Sequence, residues 1–277
     1  MARILDGKAI AKTIRKKIAT RVQELRTPPG LAVILVGDDP ASHLYVDLKR
    51  IACEEVGIKF ELNLYNADVS EQAIINKIQE LNAREEVTGI LVQLPLPTQD
   101  ANKIIPEISP LKDVDGFHRE NVEKLKRGEP AIASAVALGV MKLIRKALGD
   151  AVFPDQAAII SSPLFAEPLE ILLSQEGSSV VVTQAEDPDL VSKSKQADVI
   201  VVAEGIPGLI KAEHVKPGAI VIDVGTTKRD DHLEGDVDFA SVEPIASALT
   251  PVPGGVGPMT VAMLLVNILK AHSLQNG

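Results

Sequence analysis

Tyr45 and Lys49 stand four residues apart in a stretch whose pattern predicts a helix, directly after the apolar run Leu31 to Val36 and the turn Gly37-Asp38-Asp39-Pro40. That spacing sets an aromatic ring and an amine on one helical face, near a strand end of the kind where open α/β sheets bind ligands. A flat substrate could stack on the ring while the amine moves a proton. The pair alone also fits a solvated lysine beside a half-buried tyrosine.

Other segments offer further polar groups. Gly89 to Pro97 ends an apolar run with Gln93 and two prolines that cannot extend a strand ladder, so Gln93 falls where the strand opens into a crevice. A glutamine satisfied by loop backbone is the alternative. Asp113-Val114-Asp115-Gly116 puts two carboxylates in a glycine-permitted turn; they either cap the chain or grip a nitrogen heterocycle. In Thr250 to Thr260, prolines fix a loop while Gly254, Gly255 and Gly257 permit close backbone approach, and a helix follows with free N–H donors.

Holding these groups in place requires regular elements. Short Val- and Ile-rich runs recur between helical patterns: Leu31 to Val36, Phe60 to Tyr65, Gly89 to Leu94, Ala157 to Ile160, Val180 to Thr183, Val199 to Val202 and Ala219 to Val224. Runs apolar on both faces and separated by helices predict parallel sheets, hence an α/β protein. Two α/β lobes are expected. The first comprises residues 1–130 with 258–277, its last helix starting at Pro258; the second, Rossmann-like, comprises 131–257, with a ligand cleft between them. The chain has 277 residues, 45% of them hydrophobic, which is ample for two cores. A net charge of -9 argues against nucleic-acid or anionic-membrane partners. Cys53 is the only cysteine and sits in an apolar stretch, so no internal disulfide or cysteine zinc cluster is expected. The start lacks a signal-peptide core, and no unbroken apolar run reaches membrane-spanning length, so the cytoplasm is the expected compartment.

Together these stretches resemble the bifunctional methylenetetrahydrofolate dehydrogenase/methenyltetrahydrofolate cyclohydrolases. The resemblance rests on Val36 to Ser42 with Tyr45, Val46 and Lys49, on Gly89 to Pro97, on Lys112 to Phe117, on Gly218 to Gly225 and on Thr250 to Thr260. It implies a two-domain protomer, usually a homodimer, that binds tetrahydrofolate derivatives in its cleft without a metal. It further implies that Lys49 transfers protons, Gln93 holds and tunes it, Tyr45 stacks on the folate and Asp115 anchors the pterin. Pro253, Gly254 and Gly255 would contact substrate. Ser161, Ser162, Pro163 and Thr227 fall at the positions expected to contact NADP or NAD.

The second lobe departs from that family. Gly-Arg-Ser and a following Ile-Val-Gly are replaced by Ile160 to Ala166 aligned on Pro168, with Ile160 for the first glycine, Ser161 for the arginine and Ala166 for the second glycine. Ile160 is expected to crowd a pyrophosphate. Ala185 replaces a serine, and Glu186 and Asp187 would repel a 2′-phosphate, although an acid there also suits the ribose of NAD. Two solvated loop acids are the plainer reading. In the link between lobes, Pro-Cys-Thr-Pro-x-Gly becomes Ser134 to Gly139. The expectation is a folate cyclohydrolase, with NADP-dependent dehydrogenase activity the family default and NADP binding weakened. The alternatives are a non-catalytic folate-binding or regulatory paralogue and, third, a generic nucleotide-binding module.

Overall fold

The computed structural model describes residues 1–229 and 232–276. In chain order the strands are β1 (Arg3–Ile4), β2 (Gly30–Val36), β3 (Lys59–Tyr65), β4 (Gly89–Val92), β5 (Gln156–Ser161), β6 (Ser179–Thr183), β7 (Val199–Ala203), β8 (Ile220–Asp223), β9 (Thr227–Arg229), β10 (His232–Glu234) and β11 (Ala248–Leu249). The chain divides into two compact units. One holds Lys12–Ala135 and the stretch from Val261 onward; the other holds Met1–Ala11 and Val136–Thr260. They are called the first and second unit below.

In the first unit β2 lies between β3 and β4, and both pairings are parallel. All of β2 and β4 is buried, as their unbroken apolar runs require of central strands covered on both faces. The edge strand β3 alternates instead, leaving Leu62 and Leu64 exposed. Ala32, Ile34, Ile74, Ile78, Leu81 and Ile90 form the core on one side. Local chemistry fixes the helices. Asp39 accepts the Ser42 amide at 2.8 Å, Pro40 opens the helix Pro40–Val56, and Gly57 at φ 82° closes it by donating to Cys53 and Glu54 carbonyls. Lys112 reaches the last carbonyls of the helix Glu71–Ala83 and its cap, donating to Asn82 at 2.9 Å and Arg84 at 2.7 Å.

The second unit carries a parallel sheet in the order β1-β11-β8-β7-β5-β6, beside the antiparallel pair β10-β9. The N-terminal residues, expected in the first lobe, therefore belong elsewhere. Arg3 and Ile4 pair in parallel with Ala248 and Leu249 of β11, and Arg3 donates to the Lys146 carbonyl at 2.8 Å. A two-residue strand whose partner is far along the chain leaves no periodicity to read. The last helix is Val256–Asn276, starting two residues before Pro258. It is long and apolar enough to cross a membrane by length and composition alone, but Met259, Ala262, Leu265, Ile268 and Ala271 are wholly buried within the protein, as in a core helix.

Candidate active site

The capped helix Pro40–Val56 presents Tyr45, Lys49 and Cys53 at successive turns. Tyr45 is half-buried, Lys49 is buried and Cys53 has no exposure. Gln93 follows β4, its backbone amide still donating to Ile34 at 2.9 Å, so the central sheet fixes its position. Lys49 Nζ donates to Gln93 Oε1 at 2.5 Å, and Gln93 Nε2 donates to the Leu94 carbonyl at 2.6 Å. The second bond orients the amide and leaves only its oxygen to meet the ammonium.

The two carboxylates of the 113–116 turn have separate jobs. Asp113 is almost fully buried and accepts the amides of Gly116 at 3.0 Å and His118 at 2.7 Å, so it builds the turn. Gly116 must be glycine. Its φ is +82°, and a Cβ there would lie 2.4 Å from the Ala133 carbonyl carbon. Asp115 is left to point its carboxylate elsewhere, while its carbonyl accepts the Ala135 amide at 3.0 Å. A residue not foreseen, Asn267, steadies this loop from the C-terminal helix by donating to Val114 at 2.9 Å and Ala133 at 2.8 Å. A single amide inside the apolar run Val261 to Leu269 was the available signal.

Burial lowers the affinity of Lys49 for its proton, and the charge of Asp115 opposes that effect. The same surroundings push Asp115 up to about 6 through desolvation, with Lys49 pulling it down and Asp113 raising it, although part of the residue still meets solvent. An amine weakened as a base by burial yet held by an amide oxygen is suited to giving and taking one proton. The Cys53 thiol, pushed up to about 12 mainly by burial, is a core group with no share in that traffic.

In the second unit β5 lies between β6 and β7, all parallel, and leads into the helix Pro163–Gln175. Ser162 is its N-cap but makes no side-chain cap bond, and Pro163 occupies the first turn. Both are exposed. A strand end, an open N-cap and a helix start can receive a pyrophosphate. The loop before the last helix also lies in this unit, not with Lys49. Pro253 is exposed, Gly254 has φ +114°, and Gly255 is packed so closely that a Cβ would meet the Pro251 carbonyl at 2.7 Å. The chain itself thus accounts for Gly255, whatever a ligand adds.

Comparison with known proteins decides the family. The profile described as tetrahydrofolate dehydrogenase/cyclohydrolase, catalytic domain, matches residues 5–115, and that family's NAD(P)-binding domain profile matches 134–276. The chain belongs to the tetrahydrofolate dehydrogenase/cyclohydrolase family. It is 46% identical to the bifunctional protein FolD of Bordetella bronchiseptica, over 98% of this chain and 97% of that one. With FolD of Geobacillus thermodenitrificans the identity is 47%, over 98% and 97%. Among solved structures, the Campylobacter jejuni bifunctional enzyme FolD matches with a TM-score of 0.93 at 40% identity, covering 99% of this chain and all of that one. The Trypanosoma brucei enzyme, solved with NADP and an inhibitor, also gives 0.93, at 34% identity over 99% of this chain and 98% of that one.

Within this family member the departures in the NAD(P)-binding domain take on concrete form. Ile160, expected to crowd a ligand, is fully buried and packs with Ala158, Val202 and Val221, on the face of β5 it shares with Ala158. Its side chain fills the core. Ser161, expected at the nucleotide, is likewise fully enclosed, its hydroxyl donating to the Ser162 carbonyl at 3.2 Å. Ser162 and Pro163 remain reachable, and half-buried Thr227 donates to the Gly205 carbonyl at 3.1 Å. Asp187 is engaged by the chain. It accepts from Thr183 and Lys193, each at 2.6 Å, and from Asp189 at 2.8 Å, and the Lys193 bond leads in holding it near 2. Glu186 stays exposed.

Proposed function

We propose that this chain is a folate one-carbon enzyme, a methenyltetrahydrofolate cyclohydrolase that also carries methylenetetrahydrofolate dehydrogenase activity with a nicotinamide dinucleotide. The Lys49–Gln93 contact carries the reading: a buried amine, 2.5 Å from an oriented amide oxygen, in the same unit as Asp115, whose charge acts on it. Full-length similarity to bifunctional relatives supports both activities.

Tyr45 offers a face for the pterin, and Asp115 accepts from its ring nitrogens. Water adds to the methenyl carbon, and neutral Lys49 takes the proton it sheds. The resulting ammonium then protonates one bridging nitrogen, the carbon–nitrogen bond breaks, and a formyl group remains on the other. Gln93 keeps Nζ in place through both transfers. The dinucleotide, when bound, accepts the hydride that oxidation of the methylene carbon releases. Ser162 and Pro163 at the helix start and Thr227 near β8 are the residues assigned to hold it, while Pro253, Gly254 and Gly255 belong to the folate side.

A non-catalytic folate-binding paralogue would have no use for an amine whose basicity is reduced by burial. The working form is taken to be a cytoplasmic homodimer acting on tetrahydrofolate derivatives, without nucleic acid or membrane. Purified protein should consume methenyltetrahydrofolate and, given a dinucleotide, oxidise methylenetetrahydrofolate. A protein that binds folate but turns over neither substrate would refute the proposal.

A further inference from the structure

In the first unit β4 guides the segment that leads to Asp115, but releases it at Asp113. The Ile90 amide donates to the Lys112 carbonyl at 2.7 Å, and Ile90 forms a parallel bridge with Asp113. Beyond that point the chain leaves the sheet, and the C-terminal helix takes hold of it. Asn267 Nδ2 donates to the Val114 carbonyl at 2.9 Å and to the Ala133 carbonyl at 2.8 Å. The Val114 carbonyl and the Asp115 N–H belong to one planar peptide, so a grip on that oxygen sets the tilt of the plane entering Asp115. The plane leaving Asp115 is held by its own carbonyl, which accepts the Ala135 amide at 3.0 Å. With both planes fixed, Asp115 keeps only its side-chain torsions.

Asn267 ties the two grips together, because Ala133 lies just before Ala135 in the chain. Gly116 packs against the same stretch so closely that a Cβ would meet the Ala133 carbonyl oxygen at 2.5 Å, which leaves the turn little room to shift. The amide is costly where it sits. It is 1% exposed inside the apolar run Val261 to Leu269, and its Oδ1 is buried without a hydrogen-bond partner. Its two donated bonds are what the structure gains from it. Gln275, further along the helix, makes the same kind of contact with the carbonyls of Thr88 at 2.8 Å and Leu111 at 2.9 Å. Those lie ahead of the part that β4 holds, so the two amides of one helix divide the segment between them.

We infer that Asn267 is a positioning residue for folate: it aims the Asp115 carboxylate and thereby sets the affinity for the pterin, while leaving proton transfer at Lys49 to other supports. The inference rests on the proposed reading that Asp115 anchors the pterin. Lys49 is fixed separately, by its place on the helix Pro40–Val56 and by Gln93, whose backbone amide is tied to Ile34 of β2. A misplaced anchor should therefore show in KM and change kcat little.

Steady-state hydrolysis of methenyltetrahydrofolate by the full-length protein tests this, with melting curves to establish that each variant is folded. Asn267→Leu keeps the volume and removes both donors, and Asn267→Ser is a smaller change at the same place. Asn267→Leu should raise KM about tenfold, the scale of misplacing one charge-assisted contact, with kcat within about threefold of wild type. Gln275→Leu, the control for helix docking, should leave KM unchanged. Combined with Asp115→Ala, Asn267→Leu should raise KM no further, because its route to the substrate is gone. Four results would overturn the positioning role: an unchanged KM in folded Asn267 variants, an equal rise in Gln275→Leu, an effect fully additive with Asp115→Ala, or failure of both Asn267 variants to fold. If Asp115→Ala itself leaves KM unchanged, the underlying assignment of the pterin anchor falls instead.

Discussion

Around Lys49 in the first unit, charges of opposite sign temper one another; in the second, the partly or fully buried Glu204, Asp223 and Asp236 are all acids. Lys49 meets an amide oxygen and the field of Asp115, and Asp113 is bound by backbone amides. Glu204, Asp223 and Asp236 all have their proton affinity raised by burial, and Glu204 Oε1 and Asp236 Oδ1 lack donors. A compensated site can shift a proton at little cost, because either state has a partner. Asp223 accepts three main-chain amides and Asp236 two, so the acids of the second unit are held by the backbone. The first unit thus sets a carboxylate's charge against an amine, and the second sets its acids against main-chain amides.

The sharpest way to break this contrast is to remove the lysine. Lys49→Met should lower methenyltetrahydrofolate hydrolysis by about 10²-fold or more while folate still binds, since general acid–base assistance is worth that much. An unchanged rate would transfer the chemistry to another group. Ile160→Ala probes the other side. If the isoleucine is core and not an obstacle, the variant loses about 2–5 kcal/mol of stability in denaturant melts and gains no nucleotide affinity. Tighter NADP binding would restore the crowding view.

That second test marks the boundary of what the sequence discloses. The parallel-sheet runs were readable because buried strands show unbroken Val and Ile, and Lys49, Gln93 and Asp115 because they follow such runs. Ile160 and Ser161 show where it stops: alignment to a glycine and an arginine says which side chain is missing, not which face of β5 the replacement occupies. Strand pairing decides that, and it turns Ile160 into the core and encloses Ser161. Asn267 was silent for a related reason. A lone amide within an apolar run has meaning only once the distant carbonyls it reaches are known.

Asp115→Ala sharpens the folate side. With Asp113 already holding the turn, the fold should persist, and folate affinity should fall by about 1.5–3 kcal/mol, the usual cost of losing a charge-assisted hydrogen bond. Equal affinity in a folded variant would make Asp115 a turn residue like its neighbour.

The smallest effect expected is one of pH. Burial raises Asp115 to about 6 from its ordinary 3.8, so between those values the folded protein holds a proton that the unfolded chain has released. Stability contributed by this group therefore falls as pH rises from about 4 to about 6, and stays low above that. The full shift would correspond to about 3 kcal/mol, and partial contact with solvent reduces it, so a loss of about 1–2 kcal/mol is expected. Asp115→Asn cannot ionise and should flatten the curve over that window. Chemical melts of both proteins at pH 4, 5, 6 and 7 measure the difference. If wild type instead gains stability relative to the variant as pH rises from 4 to 6, Lys49 outweighs burial at this carboxylate. The compensation in the first unit would then be stronger than the geometry indicates, and its contrast with the second unit wider.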